Sequence, residues 1–199
     1  FGPVTAADVA SLFDAGFGDH PLALGPTEDI PFLKRQTRLT FQRCGIIDPL
    51  SLAEYQATGG LSGLRAALAM PAAQIVEEIT QSGLRGRGGA GFPTGIKWKT
   101  VADAPGPQKY IVCNADEGDS GTFADRMLME GDPFQLIEGM VIAGIAVGAD
   151  KGFIYLRSEY PDAALVLTDA IRIARKAGVL GASVLGDPRG FDIELRMGA

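Results

Sequence analysis

Thiols, imidazoles and net positive charge are all scarce in this chain. Two cysteines and one histidine occur in 199 residues. Cys44 and Cys113 have no C-x-x-C spacing, which argues against a disulfide framework and for a reducing compartment. Two thiols are too few for an iron–sulfur cluster, which usually takes four. His20 has no partner histidine and is a poor zinc candidate. Lysine and arginine number 18 against 24 aspartates and glutamates, a net charge of −6. Such a chain has no field to draw in nucleic acid or an anionic membrane. No apolar run approaches the ~20 residues that span a bilayer, and no signal peptide opens the chain. A cytoplasmic protein without membrane insertion is expected.

What remains is a globular composition, 46% hydrophobic and 21% charged. The chain opens FGPV and stops at ELRMGA, with no initiator methionine, and is expected to be a piece of a longer protein. Residues 5–15 read as a short amphipathic helix with Thr5 as N-cap and Val9, Leu12 and Phe13 on one face. The Gly- and Pro-rich run 16–31 reads as a linker, which puts a domain boundary near residue 30. Residues 1–30 are then the tail of an upstream domain with its linker, and 31–199 the next domain. Two short helices are expected around Gly59-Gly60. A further helix starts at Pro71, with Ile75, Val76 and Ile79 buried and Gly83 ending it. Tyr110–Cys113 read as a buried parallel strand with a functional loop at its carboxyl end. A helix capped by Asp132-Pro133, a strand at 152–160, a helix from Pro161 and an alternating strand at 191–197 follow. The order β-α-β-α-β predicts an α/β fold with a parallel sheet, preceded by a helical and extended N-terminal segment.

Two loops carry the chemical signal. Residues 83–92, GLRGRGGAGF, hold five glycines and two arginines. Gly86, Gly88 and Gly91 fit the dinucleotide fingerprint G-x-G-x-x-G, but that fingerprint follows a strand and opens a helix. Here the loop follows a helix, and Pro93 is expected to prevent an immediate second one. An RGG-type RNA tract is excluded by the single short copy and the acidic chain. Glycine lets backbone N–H groups approach an anion closely, and Arg85, Arg87 and Lys97 add positive charge. A tight structural turn with solvated arginines accounts for this loop alone equally well. The second loop, NADEGDSGTFADR at 114–126, crowds Asn114, Asp116, Glu117, Asp119 and Asp125 past a strand end, where α/β sheets bind ligands. A hard cation, a nucleotide and a merely solvated acidic loop are the alternatives. A basic glycine loop and an acidic strand-end loop together suit a ligand bearing phosphate, ribose and ring donors. Elsewhere, Cys113 reads as a core residue and Trp98 as packing. Lys34, Arg35, Arg38 and Arg43 read as a solvated or subunit-facing surface.

GLRGRGGAGFPTGIKWKT (83–100) and KYIVCNADEGDSGTFADR (109–126) closely resemble the NADH-binding, FMN-containing flavoprotein family of complex I, of NAD-reducing hydrogenase diaphorases and of soluble NAD-dependent formate dehydrogenases. LAEYQATGGLSGLRAAL (52–68), IVEEITQSG (75–83), DPFQLIEGMVIAGIAVGA (132–149) and GFIYLRSEYP (152–161) extend the resemblance over roughly 31–199. GDSGTFADRMLMEGDPF (118–134) and PFLKRQTRLTF (31–41) are most similar to the formate dehydrogenase beta subunit. The resemblance implies the first part of a Rossmann-like FMN-binding domain and an NAD-dependent oxidoreductase. By motif match, Gly86, Arg87, Gly88 and Gly89 line the FMN and nucleotide cavity, and Lys97, Asn114, Asp116 and Glu117 contact the flavin. Phe92 stacks on the adenine of NAD, and Asp119, where complex I relatives have Glu, sits by its ribose. A second family aromatic falls at Thr100, so the stacking platform is altered. The chemistry resides in the flavin, so no catalytic side chain and no metal ligand is assigned. The resemblance further implies a [4Fe–4S] cluster beyond residue 199, iron–sulfur partner subunits and a molybdenum-containing subunit.

Overall fold

The computed structural model describes residues 1–26 and 29–198. They divide into two compact units, Phe1–Gln42 and Arg43–Ala199. The first holds a 3-10 turn (Ala6–Asp8) running into helix α1 (Val9–Asp14), and a short helix α2 (Pro31–Lys34). Thr5 starts the turn as expected, its N–H and hydroxyl both donating to the Asp8 carboxylate at 2.8 and 2.6 Å. Of the expected apolar face only Leu12 is buried, while Val9 and Phe13 are exposed. Phe13 packs edge-on against Phe17 instead, with ring centroids 5.0 Å apart. His20 is held by Ser11, its Nε2 lying 3.1 Å from the hydroxyl, and by the Leu22 N–H at 3.1 Å.

The second unit carries the fold. Helices α3 (Leu52–Ala57), α4 (Ser62–Leu68) and α5 (Ala72–Gln81) precede the glycine loop, and α6 (Thr94–Asp103) follows it. Then come strand β1 (Tyr110–Ala115), helices α7 (Ala124–Gly131) and α8 (Pro133–Val147), strand β2 (Lys151–Leu156), helix α9 (Pro161–Lys176) and strand β3 (Asp192–Met197). The strands form one parallel sheet in the order β1-β2-β3, as the alternation of elements predicts. Ile75 and Val76 are buried as expected, whereas Ile79 is only half-buried. Gly83 follows α5 at φ +68°, the left-handed conformation that glycine adopts without a Cβ penalty.

Register separates the two faces of the sheet. Ile111, Cys113 and Ala115 lie beside Gly152, Ile154 and Leu156, and these beside Ile193, Leu195 and Met197. This face packs under α8 and α9, and Ile154, Leu156 and Ile193 are fully buried. The opposite face carries Tyr110, Val112 and Asn114, then Lys151, Phe153 and Tyr155, then Asp192, Glu194 and Arg196. Tyr110, Val112 and Tyr155 are exposed on it. The apolar run 110–113 is therefore half-exposed, not the buried strand expected. Parallel strands acquire two covered faces only when crossovers lie on both sides, and here the crossover helices α8 and α9 pack on one.

Two further expectations concern Arg43 and Trp98. Arg43 is buried, not solvated. Its Nε donates to Asp132 Oδ2 at 2.7 Å, a second nitrogen donates to Gln135 Oε1 at 2.6 Å, and the guanidinium lies 4.7 Å over the Tyr55 ring. Asp132 occupies the N-cap position of α8, but its side chain makes no capping bond because it turns to Arg43. A buried arginine needs a charge partner and satisfied donors, and both come from sequence positions about ninety residues away. Trp98 packs against the core as expected.

Candidate functional site

The glycine loop is a closed loop between two helices. Leu84 and Thr94 mark its base, where the Thr94 N–H donates to the Leu84 carbonyl and the Gly86 N–H to the Phe92 carbonyl, both at 2.9 Å. Arg85 spans the loop, donating to the Gly91 carbonyl at 2.9 Å. Gly86, Arg87, Gly88 and Gly89 are solvent-exposed beyond that base. Gly89 and Gly91 have φ of +105° and +57°, which explains their identity. The loop follows a helix, as expected. A second helix does begin at once, however, with Pro93 as its N-cap and Thr94 as its first residue. Proline in this position completes the turn into the helix rather than preventing it, because no intrahelical bond needs its missing N–H.

The side chains of Arg87 and Lys97 have no hydrogen-bond or ion-pair partner among the described residues. Lys97 stands in the first turn of α6, beyond the loop. Phe92 is 49% exposed. Gly95 sits directly against Thr80 of α5, where a Cβ would meet the Thr80 side chain and lie 2.6 Å from its Cα. The glycine therefore sets how closely α5 and α6 approach, and with them the two ends of the loop.

At the carboxyl end of β1, Asn114 and Asp116 line an open depression of about 510 Å3 with Val112 and Tyr155. The Asn114 side-chain carbonyl accepts the Asp116 N–H at 3.2 Å, which aims its amide N–H2 away from the turn. The Asp116 carboxylate has no hydrogen-bond partner among the described residues. A depression of similar size at the other end of the strands, lined by Gln108, Asp150, Lys151 and Asp192, is a weaker candidate. Its polar groups are engaged: Gln108 with Asp150, Lys151 with Glu194, Asp192 with Arg175.

Glu117 is differently placed. Its backbone is left-handed (φ +43°), and its carboxylate crosses to the start of α7. Oε1 accepts the Asp125 N–H at 2.8 Å and Oε2 the Arg126 N–H at 3.1 Å. Oε2 also accepts the Tyr160 hydroxyl at 3.0 Å, and Arg157 donates to the Glu117 carbonyl at 2.9 Å. A carboxylate has about four acceptor positions, so Oε1, with one donor, has one position left. Asp119 is exposed; its carbonyl accepts the Thr122 N–H at 3.1 Å. Burial and the neighbouring Glu117 charge raise the Asp125 carboxyl above its usual range. No hydrogen bond or ion pair among the described residues joins the glycine loop to the acidic loop. Helix α7, Tyr160 and Arg157 join the site although the motifs do not point to them. The stretch T-F-A-D at 122–125, followed by Arg126 and then MLME, is the signal for α7, since an acidic residue in a first turn favours a helix start.

Cys113 faces the helical layer beside Ile111, Leu136 and Met140. Burial, with a smaller contribution from Asp125, pushes its thiol up to about 11 from an ordinary 9.0. Its thiolate fraction at pH 8 is then about a hundredfold below that of an ordinary thiol. Alkylation by iodoacetamide, followed by mass spectrometry, is expected to label Cys113 at least that much more slowly than a free cysteine. Labelling at the free-thiol rate would contradict the burial of this face.

Residues 79–199 match the family model described as the Nuo51 FMN-binding domain. The chain is 50% identical over 166 residues to the NADP-reducing hydrogenase subunit HndC of Solidesulfovibrio fructosivorans, covering 83% of this chain and 34% of that protein. It is also 50% identical over 145 residues to an NADH-quinone oxidoreductase subunit of Aquifex aeolicus, covering 73% and 33%. A crystal structure of an NAD+-reducing [NiFe]-hydrogenase in the H2-reduced state superposes with a TM-score of 0.59 at 32% identity, over 98% of this chain and 32% of that one. The chain thus spans about a third of the length of these relatives. An α/β sheet with its open polar site at the strand ends, and a family match over both loops, lead to one conclusion: this chain belongs to the Nuo51 FMN-binding domain family.

Proposed function

We propose that this chain is the flavin- and nucleotide-facing part of an NAD-linked electron-transfer subunit that binds FMN. One observation carries the reading. Polar groups without protein partners lie where an α/β sheet binds ligands, the Asn114 amide N–H2 and the Asp116 carboxylate at the strand end, and the Arg87 and Lys97 side chains are uncompensated on the loop and helix that precede the strand in the chain. The donor set fits FMN. Glycine N–H groups and two cations suit a phosphate, and an amide with a carboxylate suits the donors and acceptors of an isoalloxazine edge.

Bound FMN supplies hydride exchange with nicotinamide and single-electron exchange with iron–sulfur clusters. The residues of the chain supply placement. Gly86, Arg87, Gly88 and Gly89 line the phosphate-bearing end, Lys97 contacts the flavin, Asn114 and Asp116 orient the ring, and Glu117 adds the acceptor position left on Oε1. Phe92 offers an exposed ring for the adenine of NAD, and Asp119 takes a ribose hydroxyl. Such placement would lower the entropic part of the barrier by fixing the orientation of the bound rings. No side chain is assigned as a proton donor.

Within this reading, formate is the electron source and NAD the acceptor, on the wording of residues 118–134 and 31–41. A [4Fe–4S] cluster, iron–sulfur subunits and a molybdenum-containing subunit complete the assembly in the cytoplasm, and residues 1–30 belong to an upstream domain and linker. No helix among the described residues is long and apolar enough to cross a membrane. A second reading, an NADH-oxidising complex I subunit or a hydrogenase diaphorase, is favoured by the names of the relatives. A third, a nucleotide-binding structural subunit without redox activity, is disfavoured by the presence of Lys97, Asn114, Asp116 and Glu117. The intact complex, purified anaerobically, is expected to show a flavin absorbance band that both formate and NADH bleach. Bleaching by NADH and dihydrogen, or by NADH alone, would select the second reading. A complex with no flavin band would sink the enzyme reading.

A further inference from the structure

We infer that Tyr160 is a positioning residue for the flavin-facing loop, acting through Glu117 and touching no ligand itself. The inference rests on the FMN reading above. Tyr160 is the N-cap residue of α9 and is 8% exposed. Its hydroxyl lies 3.0 Å from Glu117 Oε2 and 3.3 Å from the Thr122 carbonyl. A phenol has one proton, and the carboxylate is the stronger acceptor. The Tyr160 ring lies near two guanidiniums, Arg126 at 5.4 Å and Arg157 at 5.8 Å from its centroid. Burial and the Glu117 hydrogen bond raise the phenol above its usual range, so it stays protonated as a donor. Arg157, on the same turn between β2 and α9, holds the Glu117 carbonyl. One turn thus grips both the main chain and the side chain of Glu117.

That grip is where loop geometry is decided. Glu117 has φ +43°, a conformation that a non-glycine residue keeps only when its surroundings hold it. Asp116 is the preceding residue, and Asn114 is bonded to the Asp116 amide. Releasing Glu117 would let the backbone relax and swing the Asp116 carboxylate and the Asn114 turn together. Within the loop the Asp125 and Arg126 N–H groups also hold the Glu117 carboxylate, but Gly118 follows directly, and its flexibility favours relaxation once one of these bonds is lost. Together with these N–H groups and Arg157, Tyr160 therefore fixes the direction of the groups assigned to the flavin ring.

The experiment is Tyr160→Phe in the full-length protein within its complex, with Tyr110→Phe as control at the opposite end of the strands. FMN is removed and re-added, and binding is followed by flavin fluorescence; the visible circular dichroism of the FMN-saturated protein is recorded alongside. Tyr160→Phe is expected to weaken FMN binding by about tenfold, the effect of losing one hydrogen bond to a charged group, and to alter the flavin dichroism at saturation. A merely structural role would lower stability without altering that signature. Arg157→Gln, which frees the Glu117 carbonyl, is expected to do the same and serves if Tyr160→Phe does not fold. Wild-type affinity and dichroism in either folded variant would overturn the inference alone. Wild-type protein that takes up no FMN would instead overturn the proposed function, and this inference with it.

Discussion

Glu138→Ala is expected to cost the full-length protein on the order of 4 kcal/mol of stability, the largest effect of any single substitution considered for this fold. Glu138 lies on α8, yet it caps a different helix. Its Oε2 accepts the Leu61 N–H and its Oε1 the Leu64 N–H, both at 2.8 Å, and the Tyr55 hydroxyl also donates to Oε2. These are orphan donors at the start of α4, whose N-cap, Leu61, is left-handed (φ +62°) and has no side-chain oxygen to offer. Leu61, Leu64 and Tyr55 are at most 1% exposed, so water cannot replace the carboxylate. Each donor left unsatisfied there costs about 1–3 kcal/mol, and the missing side chain leaves a cavity besides. Burial and Glu138 already hold the Tyr55 phenol far above its usual range. Glu138→Gln keeps one acceptor oxygen and should lose about half as much. Urea unfolding of the three proteins measures the difference. A loss below about 1 kcal/mol for the alanine variant would mean that α4 is not held this way.

Gly95→Ala should destabilise by about 3 kcal/mol and also empty the proposed flavin site. A Cβ at this position would lie 2.6 Å from Thr80 Cα and 2.8 Å from its amide nitrogen. Backbone cannot rotate out of the way as a side chain can, so α5 and α6 must separate. Overpacking of this kind costs about 1–3 kcal/mol. Separation also strains the base of the glycine loop, where the Thr94 N–H reaches the Leu84 carbonyl. FMN content at purification and the thermal midpoint should therefore fall together. Thr80→Ala in the same chain should restore less than half of the stability, because two of the three nearest contacts are to backbone. Complete restoration would show that the side chain alone mattered. Normal FMN content in a destabilised Gly95→Ala protein would detach the loop from the helix contact.

Much of the fold can be read along the chain because the signals are local. Pro71, Pro133 and Pro161 mark helix starts, and two short apolar runs and one alternating run mark the three strands, whose parallel order follows from the helices between them. Helix α6 escapes such a reading because a proline just after a glycine loop looks like a barrier and here serves as a cap. Helix α7 escapes it because its first turn lies inside an acidic stretch that also reads as loop. The apolar run 110–113 suggests burial on both sides, but composition does not say on which face of a sheet the next helix will land.

Local order therefore established the elements of this protein, the two chemically distinctive loops and, through their wording, the family. Only the tertiary structure decided which polar groups are occupied and which are free. Asn114 and Asp116 precede Glu117 closely in the same acidic run, yet they face an open depression while Glu117 caps α7. Arg43 reads as one of four solvated or subunit-facing cations and is the buried partner of Asp132. The reason is distance along the chain. Arg43 and Asp132 are 89 residues apart, Tyr55 and Glu138 83, Glu117 and Tyr160 43. Periodicity and capping propensity act within a few residues, whereas the partner that neutralises a buried charge is chosen when the sheet and its helices pack.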